Sequence, residues 1–155
     1  MNRWTISLGT ALVLLVGLAL AAPIGPVPGF FIGGSPVKAP IPWPDTGQVD
    51  EVRLQVPGLL PRVVIIWIVE FEGELHVVGS KDSGWVQMLG PGGPVKLRLE
   101  GSTYDLVAER VTDGWEPILA AYIDKYKVNY PEIVSGFPSL EEAEGAFGLF
   151  RLNRT

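Results

Sequence analysis

The sequence predicts a small, mainly β domain, a closed or half-open antiparallel barrel of five or six strands, behind an apolar N-terminal segment. Segments rich in β-branched and aromatic residues recur between Asp45 and Thr155, and short turns that contain glycine join them in pairs. One stretch near the C-terminus instead repeats its apolar residues at the spacing of a helix. A barrel leaves the fewest strand edges exposed in a domain of this size.

Charge divides the chain into unlike regions. Of its 155 residues, 29 are charged, and 27 of these lie between Asp45 and Thr155. Between Trp4 and Pro44 the only charged residue is Lys38. We therefore predict a cytoplasmic N-terminus at residues 1–4, a transmembrane or signal segment at 5–22, a spacer at 23–44 and a domain at 45–155.

Composition also excludes several classes of function. Because there is no cysteine, a disulfide framework, a thiolate metal site and a cysteine nucleophile are excluded. The single histidine has no partners at the spacing of metal ligands, so no metal is expected. A net charge of −5 without a basic cluster argues against nucleic-acid binding. No motif supplies a catalytic side chain, so any activity is expected to depend on a bound cofactor.

The N-terminal segment has the properties of an export signal or a membrane anchor. Ile6–Ala22 holds 17 residues without a charge, near the lower limit for crossing a hydrocarbon core of ~30 Å. Ala19–Ala21 offers small residues at the spacing of a signal-peptide cleavage site. Cleavage there would export the protein. We favour an uncleaved anchor because the apolar character continues to Phe31. Arg3 then predicts that the domain lies on the extracytoplasmic side of the membrane.

The spacer is unsuited to regular structure. Pro23 to Pro44 holds seven of the fourteen prolines and four glycines, which excludes a regular helix or an interior strand. Phe30, Phe31 and Trp43 are too apolar for a solvated linker. We expect the later half of the spacer to wrap along the domain or to lie at the membrane surface.

The strands follow in order along the domain. Val49–Val56 alternates polar and apolar residues, whereas Arg62–Phe71 is a continuous apolar run typical of a strand covered on both sides. Glu72–Gly73 and Gly101–Ser102 supply the turns of two hairpins. The predicted strands are 49–56, 62–71, 74–79, 95–100, 103–111 and 146–152.

Two helices are predicted. A short amphipathic turn covers Trp85–Leu89, between the two hairpins. The long helix is capped by Thr112 or Asp113 and runs to about Lys127, before a proline at position 131. Its apolar residues recur three and four positions apart: Ile118, Leu119, Tyr122, Ile123 and Tyr126.

Four segments, taken in this order, resemble the flavin-binding split-barrel superfamily. They are the turn Glu72–Gly73, the loop Lys81–Trp85, the hairpin strand with its turn Pro94–Tyr104, and Ala108–Asp113. This superfamily contains the pyridoxamine 5′-phosphate oxidase-like proteins and the deazaflavin-dependent nitroreductases. The resemblance covers about residues 48–127. It implies a small antiparallel split β-barrel with one long and one short helix, a bound FMN or deazaflavin, hydride transfer with a small-molecule redox substrate, and a homodimer.

The resemblance also implies where the cofactor would bind. Members of the superfamily hold the phosphate of the cofactor near the end of the strand before the loop, with Lys or Arg, hydroxyl and backbone N–H donors. The matching positions here are Ser80, Lys81, Ser83, Gly84 and Trp85. Gly84 would allow close approach of the backbone, and Trp85 would lie beside the cofactor's ring.

The sequence differs from the superfamily at two places in the predicted cofactor site, and these differences leave a second function open. Asp82 reduces the positive field beside Lys81, and Gln87–Met88 stands where many relatives carry Arg-Asn. These differences favour a second hypothesis, a non-catalytic binding or structural module with an eroded cofactor site. The loop would then be an ordinary solvated one in which Ser83 caps the short helix.

Three other groups of polar residues stand out in the domain. His76 is expected to be an ordinary strand residue on the face that Glu74 and Val78 share, and a haem-handling protein is the third and weakest hypothesis. Carboxylates at period two are expected to form a solvated hairpin tip: Glu70, Glu72 and Glu74. Cations on the second hairpin form either a basic stripe or the polar side of a half-exposed sheet: Lys96, Arg98 and Arg110.

Overall fold

A computed structural model describes Pro23 and residues 27–155. The predicted N-terminal segment at 5–22 lies outside these residues. Within the described part of the chain, no helix is both long enough and apolar enough to cross a membrane.

Six antiparallel strands close into a barrel. The seven strands of the described chain are β1 (Ser35–Pro36), β2 (Glu51–Val56), β3 (Arg62–Phe71), β4 (Glu74–Ser80), β5 (Gly92–Leu99), β6 (Ser102–Arg110) and β7 (Phe147–Arg154). Their order is β6-β5-β2-β3-β4-β7, and a further β6–β7 ladder closes the ring. The short β1 pairs in parallel with the start of β6, which β7 does not reach. The prediction of an antiparallel barrel is confirmed.

Alternation along the strands fills the barrel with aliphatic side chains. Leu54, Leu75, Leu97, Leu106 and Leu152 are all inside it and almost fully buried. Helix α1 (Gly84–Leu89) closes one end of the barrel, to which it contributes three buried side chains. Trp43 belongs to the same cluster and packs edge-on against Tyr104, near the start of β6, so it closes the opposite end.

A helical layer covers the outer face of β3, β4 and β7. It consists of α2 (Glu116–Tyr126), α3 (Pro131–Ser135) and α4 (Leu140–Ala143). A second core lies beneath it, formed by Val69, Val78 and Leu149 with Leu119, Tyr122 and Tyr126. The aromatic residues of α2 therefore pack into this core, as their spacing predicted.

The long helix begins later than the sequence predicted. Its N-cap is Trp115, and the hydroxyl of Thr112 instead donates a hydrogen bond to the side chain of Asp113. Gly114 adopts a positive φ of 64°, which interrupts helical geometry. Pro117 follows in the first turn, where its fixed φ suits a helix start. The predicted cap at Thr112 or Asp113 is wrong for this reason.

The later part of the spacer wraps around the barrel, and we call residues 27–46 the strap. Gly29 forms a bridge with Val63 on β3. The strap then crosses the outer faces of β2 and β5, where Gln55 donates to the carbonyl of Phe30 and Arg98 to that of Ile32. Beyond β1 it continues to Trp43. The prediction that the spacer wraps along the domain is confirmed for these residues.

Candidate functional site

The loop between β4 and α1 presents polar groups that the protein uses only in part. The hydroxyl of Ser80 accepts a hydrogen bond from the backbone N–H of Asp82 at 3.3 Å. Ser83 occupies the N-cap position of α1, but its side chain makes no capping hydrogen bond. Lys81 is exposed, and its ammonium group forms no ion pair within the described residues. These two hydroxyls and one ammonium group can therefore donate to an anionic ligand.

Arg62 adds a second cation that the sequence analysis did not identify. It is the first residue of β3 and lies opposite Val56, so its side chain starts from the inner face of the barrel. Its guanidinium packs against Gly84, where an added Cβ would lie 2.5 Å from Nη1. The buried Nε has no hydrogen-bond partner in the described part of the chain. Buried donors without a partner are rare, and an acceptor at this place would satisfy the Nε of Arg62. Among the described residues the indole Nε1 of Trp43, at the opposite end of the barrel, is the other such donor.

Gly84 and Trp85 pack against the protein and support the loop. The space left by the missing side chain of Gly84 is occupied by Arg62. Trp85 is 6% exposed, and its ring lies 5.7 Å from that of Phe150 inside the barrel. Both residues hold the loop in place, whereas Ser80, Lys81 and Ser83 carry the groups that a ligand could reach.

The cations of the second hairpin are already engaged by the protein. Lys96 forms an ion pair with Asp105, and Arg98 donates to backbone carbonyls of Glu100 and Ile32. Arg110 donates to the carbonyls of Gly90 and Phe147. These contacts favour the interpretation as the polar side of a half-exposed sheet, so we place no anion there.

An apolar recess begins at Ser80 and extends beneath α2. Its volume is about 350 Å³, and Val78, Tyr122, Phe137 and Pro138 contribute to its walls. Such a recess accepts a flat, mostly apolar group, while the polar loop stands at its edge.

A second cleft of about 390 Å³ lies on the same outer face and includes His76. His76 is only 3% exposed, and burial lowers the pKa of its imidazole. Its Nδ1 lies 3.1 Å from the carbonyl oxygen of Glu74. Because a carbonyl only accepts, Nδ1 carries the proton and Nε2 keeps a free lone pair. Arg151 also lines this cleft, and it pairs with Glu109 at 2.7 Å, which lowers the pKa of that carboxyl.

The carboxylates of the first hairpin lie at its tip. Glu72 adopts a positive φ of 51° in the turn, and Glu74 forms an ion pair with Arg154 at 2.7 Å. Among the described residues, no group of three or more potential ligands could hold a metal ion. The ion pair of Glu74 ties the hairpin tip to the end of β7.

Comparisons with known proteins identify the fold. No family model and no curated protein matches the chain. Among solved structures, the chain is similar to HutZ, the heme storage protein from Vibrio cholerae, with a TM-score of 0.51 and 22% identity over 70% of this chain and 84% of that one. Two further matches are a NimC/NimA family protein from Clostridium acetobutylicum (TM-score 0.44, 17% identity, 66% and 72% coverage) and an F420 reductase (TM-score 0.45, 12% identity, 68% and 86% coverage).

The fold is an antiparallel six-stranded β-barrel with a few helices, consistent with a split barrel. The closed six-stranded antiparallel barrel with its few helices and the likeness to HutZ agree on this fold. The antiparallel barrel predicted from the sequence is thus confirmed for the described residues. A fold does not by itself define a ligand, so function has to be argued from the loop and the clefts.

Proposed function

We propose that this chain binds a flavin-type cofactor, FMN or a deazaflavin, and acts as an oxidoreductase by hydride transfer with a small-molecule redox substrate. The observation that carries the proposal is the buried, unpartnered Nε of Arg62 beside the loop of Ser80, Lys81 and Ser83. A phosphate supplies the acceptor oxygens that these donors lack. Charge-assisted hydrogen bonds of this kind are roughly twice as strong as neutral ones.

Each residue has a distinct part in this site. Arg62, fixed between the barrel and α1, provides a positioned charge, and the flexible Lys81 adds a second charge from the solvent side. Ser80 and Ser83 donate hydroxyl hydrogen bonds. The recess beside Ser80 would shield an apolar ring from water through Tyr122 and Phe137. The bound cofactor supplies the hydride chemistry, and the chain supplies binding and orientation.

The proposal includes two partners. Residues 5–22 attach the protein to a membrane with the domain on the extracytoplasmic side, which the uncharged run Ile6–Ala22 and Arg3 support. A second copy of the chain completes a homodimer, as the resemblance to split-barrel proteins implies.

Titration of the detergent-solubilised full chain with FMN, and separately with a deazaflavin, tests the cofactor. We expect saturable binding at micromolar ligand, followed by absorbance. Arg62→Ala and the pair Lys81→Ala with Ser83→Ala should each weaken binding by about tenfold or more, because each removes charge-assisted hydrogen bonds. Arg53→Ala is the matched control, since Arg53 lies on the outer face of β2 across from Arg98. It should leave the affinity unchanged.

Two results would contradict the proposal. A folded protein that binds neither ligand would overturn it and favour the non-catalytic module, which the exposed Gln87 and Met88 of α1 and the nearby Asp82 support. Binding that is insensitive to both sets of loop variants would place the cofactor elsewhere.

Haem is the second candidate ligand, favoured by the cleft of His76. A neutral imidazole whose Nε2 can accept a bond is suited to ligate haem iron, and Phe71, Val111 and Ile118 supply apolar walls. Three carboxylates also line the cleft, and Arg151 is paired with Glu109, so the propionates would have to face solvent. HutZ, whose fold is similar, is a heme storage protein. The same titration with haem distinguishes this ligand from a flavin-type cofactor. A Soret shift that is abolished in His76→Ala would favour haem.

A further inference from the structure

Several large apolar side chains are exposed near the barrel end that α1 closes. In the loop between β2 and β3, Leu59 is fully exposed and Leu60 is 67% exposed. Met88 of α1 is 41% exposed, and Phe30 of the strap is 52% exposed. We call these four residues the apolar rim. Single exposed apolar residues are common, whereas several at one end of a barrel form a candidate interaction surface.

Contacts bring together the segments of the chain that carry the apolar rim. The β2–β3 loop packs on α1, since a Cβ added to Gly58 would lie 2.7 Å from Cε of Met88. The strap reaches the same end of the hairpin, because Gly29 pairs with Val63 just after the loop. Gln55, directly across from Val63, donates to the carbonyl of Phe30 at 3.3 Å. The rim thus runs from the loop and α1 onto the strap.

The path of the chain brings this rim close to the uncharged N-terminal segment. Gly29, fixed on β3, follows Ala22 by seven residues. A fully extended chain of that length spans at most about 25 Å. A bilayer that holds Ile6–Ala22 must therefore lie within this distance of the β2–β3 end of the barrel.

The distribution of charge favours the same orientation. Residues 112–145 contain seven carboxylates and two lysines, a net charge of −5 that equals the formal charge of the whole chain. The helices in this segment cover β3, β4 and β7, whereas the strap crosses β2 and β5. Because carboxylates lose hydration when they approach the apolar part of a bilayer, the helical layer would turn away from it and the apolar rim toward it.

We propose that the apolar rim rests on the surface of a phospholipid bilayer, with Leu59 and Leu60 inserted among the headgroups. This inference rests on the membrane attachment in the proposed function. Apolar side chains of interfacial elements lie about 5–10 Å deep, at the boundary between headgroups and acyl chains. The anchor would then fix the orientation of the barrel and not merely hold it near the membrane.

The absence of cysteine makes the test direct. Leu59→Cys in the full chain carries a single NBD fluorophore, and Val128→Cys is the matched control. Val128 is 76% exposed and follows α2, whose Lys125 bonds to carbonyls that precede β2, at the other end of the barrel. Both proteins are reconstituted into vesicles of phosphatidylcholine and phosphatidylglycerol, with and without brominated phosphatidylcholine. We expect a blue shift and quenching by brominated lipid at position 59, and neither at position 128.

Three other outcomes would overturn the inference, and they differ in what they leave standing. If the chain floats with vesicles but position 59 is quenched no more than position 128, the membrane attachment stands and the surface contact is refuted. If the chain does not float, both are refuted, while cofactor binding is untouched. A blue shift at position 59 without vesicles that grows with protein concentration would show that a second copy covers the rim.

Discussion

Two neighbouring residues of α2 close the end of the β2–β3 ladder. The hydroxyl of Tyr126 accepts a hydrogen bond from the N–H of Ile68 at 2.8 Å and donates to the carbonyl of Asp50 at 2.7 Å. The ammonium of Lys125 donates to the carbonyls of Thr46, Val49 and Ile68. The ladder itself ends at the pair Glu51 and Trp67, so these side chains satisfy backbone groups that would otherwise lack partners.

Replacement of Tyr126 by Phe should destabilise the protein by about 1–3 kcal/mol, the usual cost of a buried donor left without a partner. The N–H of Ile68 would lose the acceptor that the hydroxyl provides. Urea unfolding measures the effect. Tyr130→Phe is the control: its hydroxyl bonds to the carboxylate of Asp50, which is only partly buried, so less than about 1 kcal/mol should be lost. Equal losses in the two variants would mean that water reaches the N–H of Ile68.

The sequence could supply only part of the candidate site, for a reason visible at Arg62. The resemblance pointed to the loop residues Ser80, Lys81 and Ser83 because they are contiguous. Arg62 opens a continuous apolar run, which has no alternation to show which way its first side chain points. Only the register of β2 with β3, which pairs Val56 with Arg62, turns that side chain inward toward Gly84.

The strap behaves as an element of the fold although it has almost no regular structure. Its prolines prevent a helix, yet Trp43 is 5% exposed, packs edge-on against Tyr104 and lies 4.7 Å beneath the guanidinium carbon of Arg154. The strap is thus the lid of the barrel end opposite α1. Burial of one large aromatic side chain compensates for the lack of backbone ladders.

Trp43→Ala should therefore destabilise the domain by about 3–5 kcal/mol, the range for large aromatic residues removed from a core. Chemical denaturation followed by circular dichroism gives the change in the free energy of unfolding. Ile41→Ala is the control on the same segment, because Ile41 is 85% exposed and should cost about 0.5 kcal/mol or less. A small loss for Trp43→Ala would show that the strap is dispensable for the barrel.

The elements that could be predicted are those with a clear period. Alternation and apolar runs identified all six barrel strands, and apolar residues three and four positions apart identified α2, because burial on one or both faces imposes each pattern. Helices α3 and α4, of five and four residues, are too short to show a period, as is the two-residue β1. The segment before Gly145 did contain one local signal. Ser139 and Glu142 form a capping box, with the N–H of Ser139 donating to the carboxylate at 3.2 Å.

At the scale of the whole molecule, the sheet has two cores with different chemistry. The barrel interior is mostly aliphatic, whereas the layer under the helices is rich in aromatic residues, with Trp67 stacked on Tyr126 at 4.1 Å. Tyr122 packs against Tyr126 with ring centroids 5.1 Å apart. Ionisation of either phenol would place a negative charge in this layer, so the stability of the domain is tied to their protonation.

Burial raises the pKa values of Tyr122 and Tyr126 well above that of a free tyrosine. Because the folded values exceed the unfolded ones, their contribution to stability is complete below the unfolded pKa of about 10 and is lost as the pH rises toward the folded values. Burial lowers the pKa of Lys125, so the contribution of this residue to stability increases with pH. This one group opposes the loss of stability from the two tyrosines without cancelling it. The midpoint temperature of thermal unfolding should therefore decrease as the pH rises above about 10. These two residues should show little phenolate absorbance before the domain unfolds.

Thermal unfolding by circular dichroism, recorded alongside phenolate absorbance at increasing alkaline pH, checks this expectation. Tyr122→Phe removes one of the two phenols and leaves the hydrogen bonds of Tyr126 with Ile68 and Asp50 in place, so its midpoint should fall less steeply with pH. The original chain and the variant should have similar slopes below about pH 9, where neither state ionises its tyrosines. Identical slopes at alkaline pH, or two phenols that titrate normally in the folded protein, would mean that water enters the layer between α2 and β3. That layer holds α2 against the barrel, so such a result would also weaken the case for a recess beside Ser80 that shields an apolar ring from water.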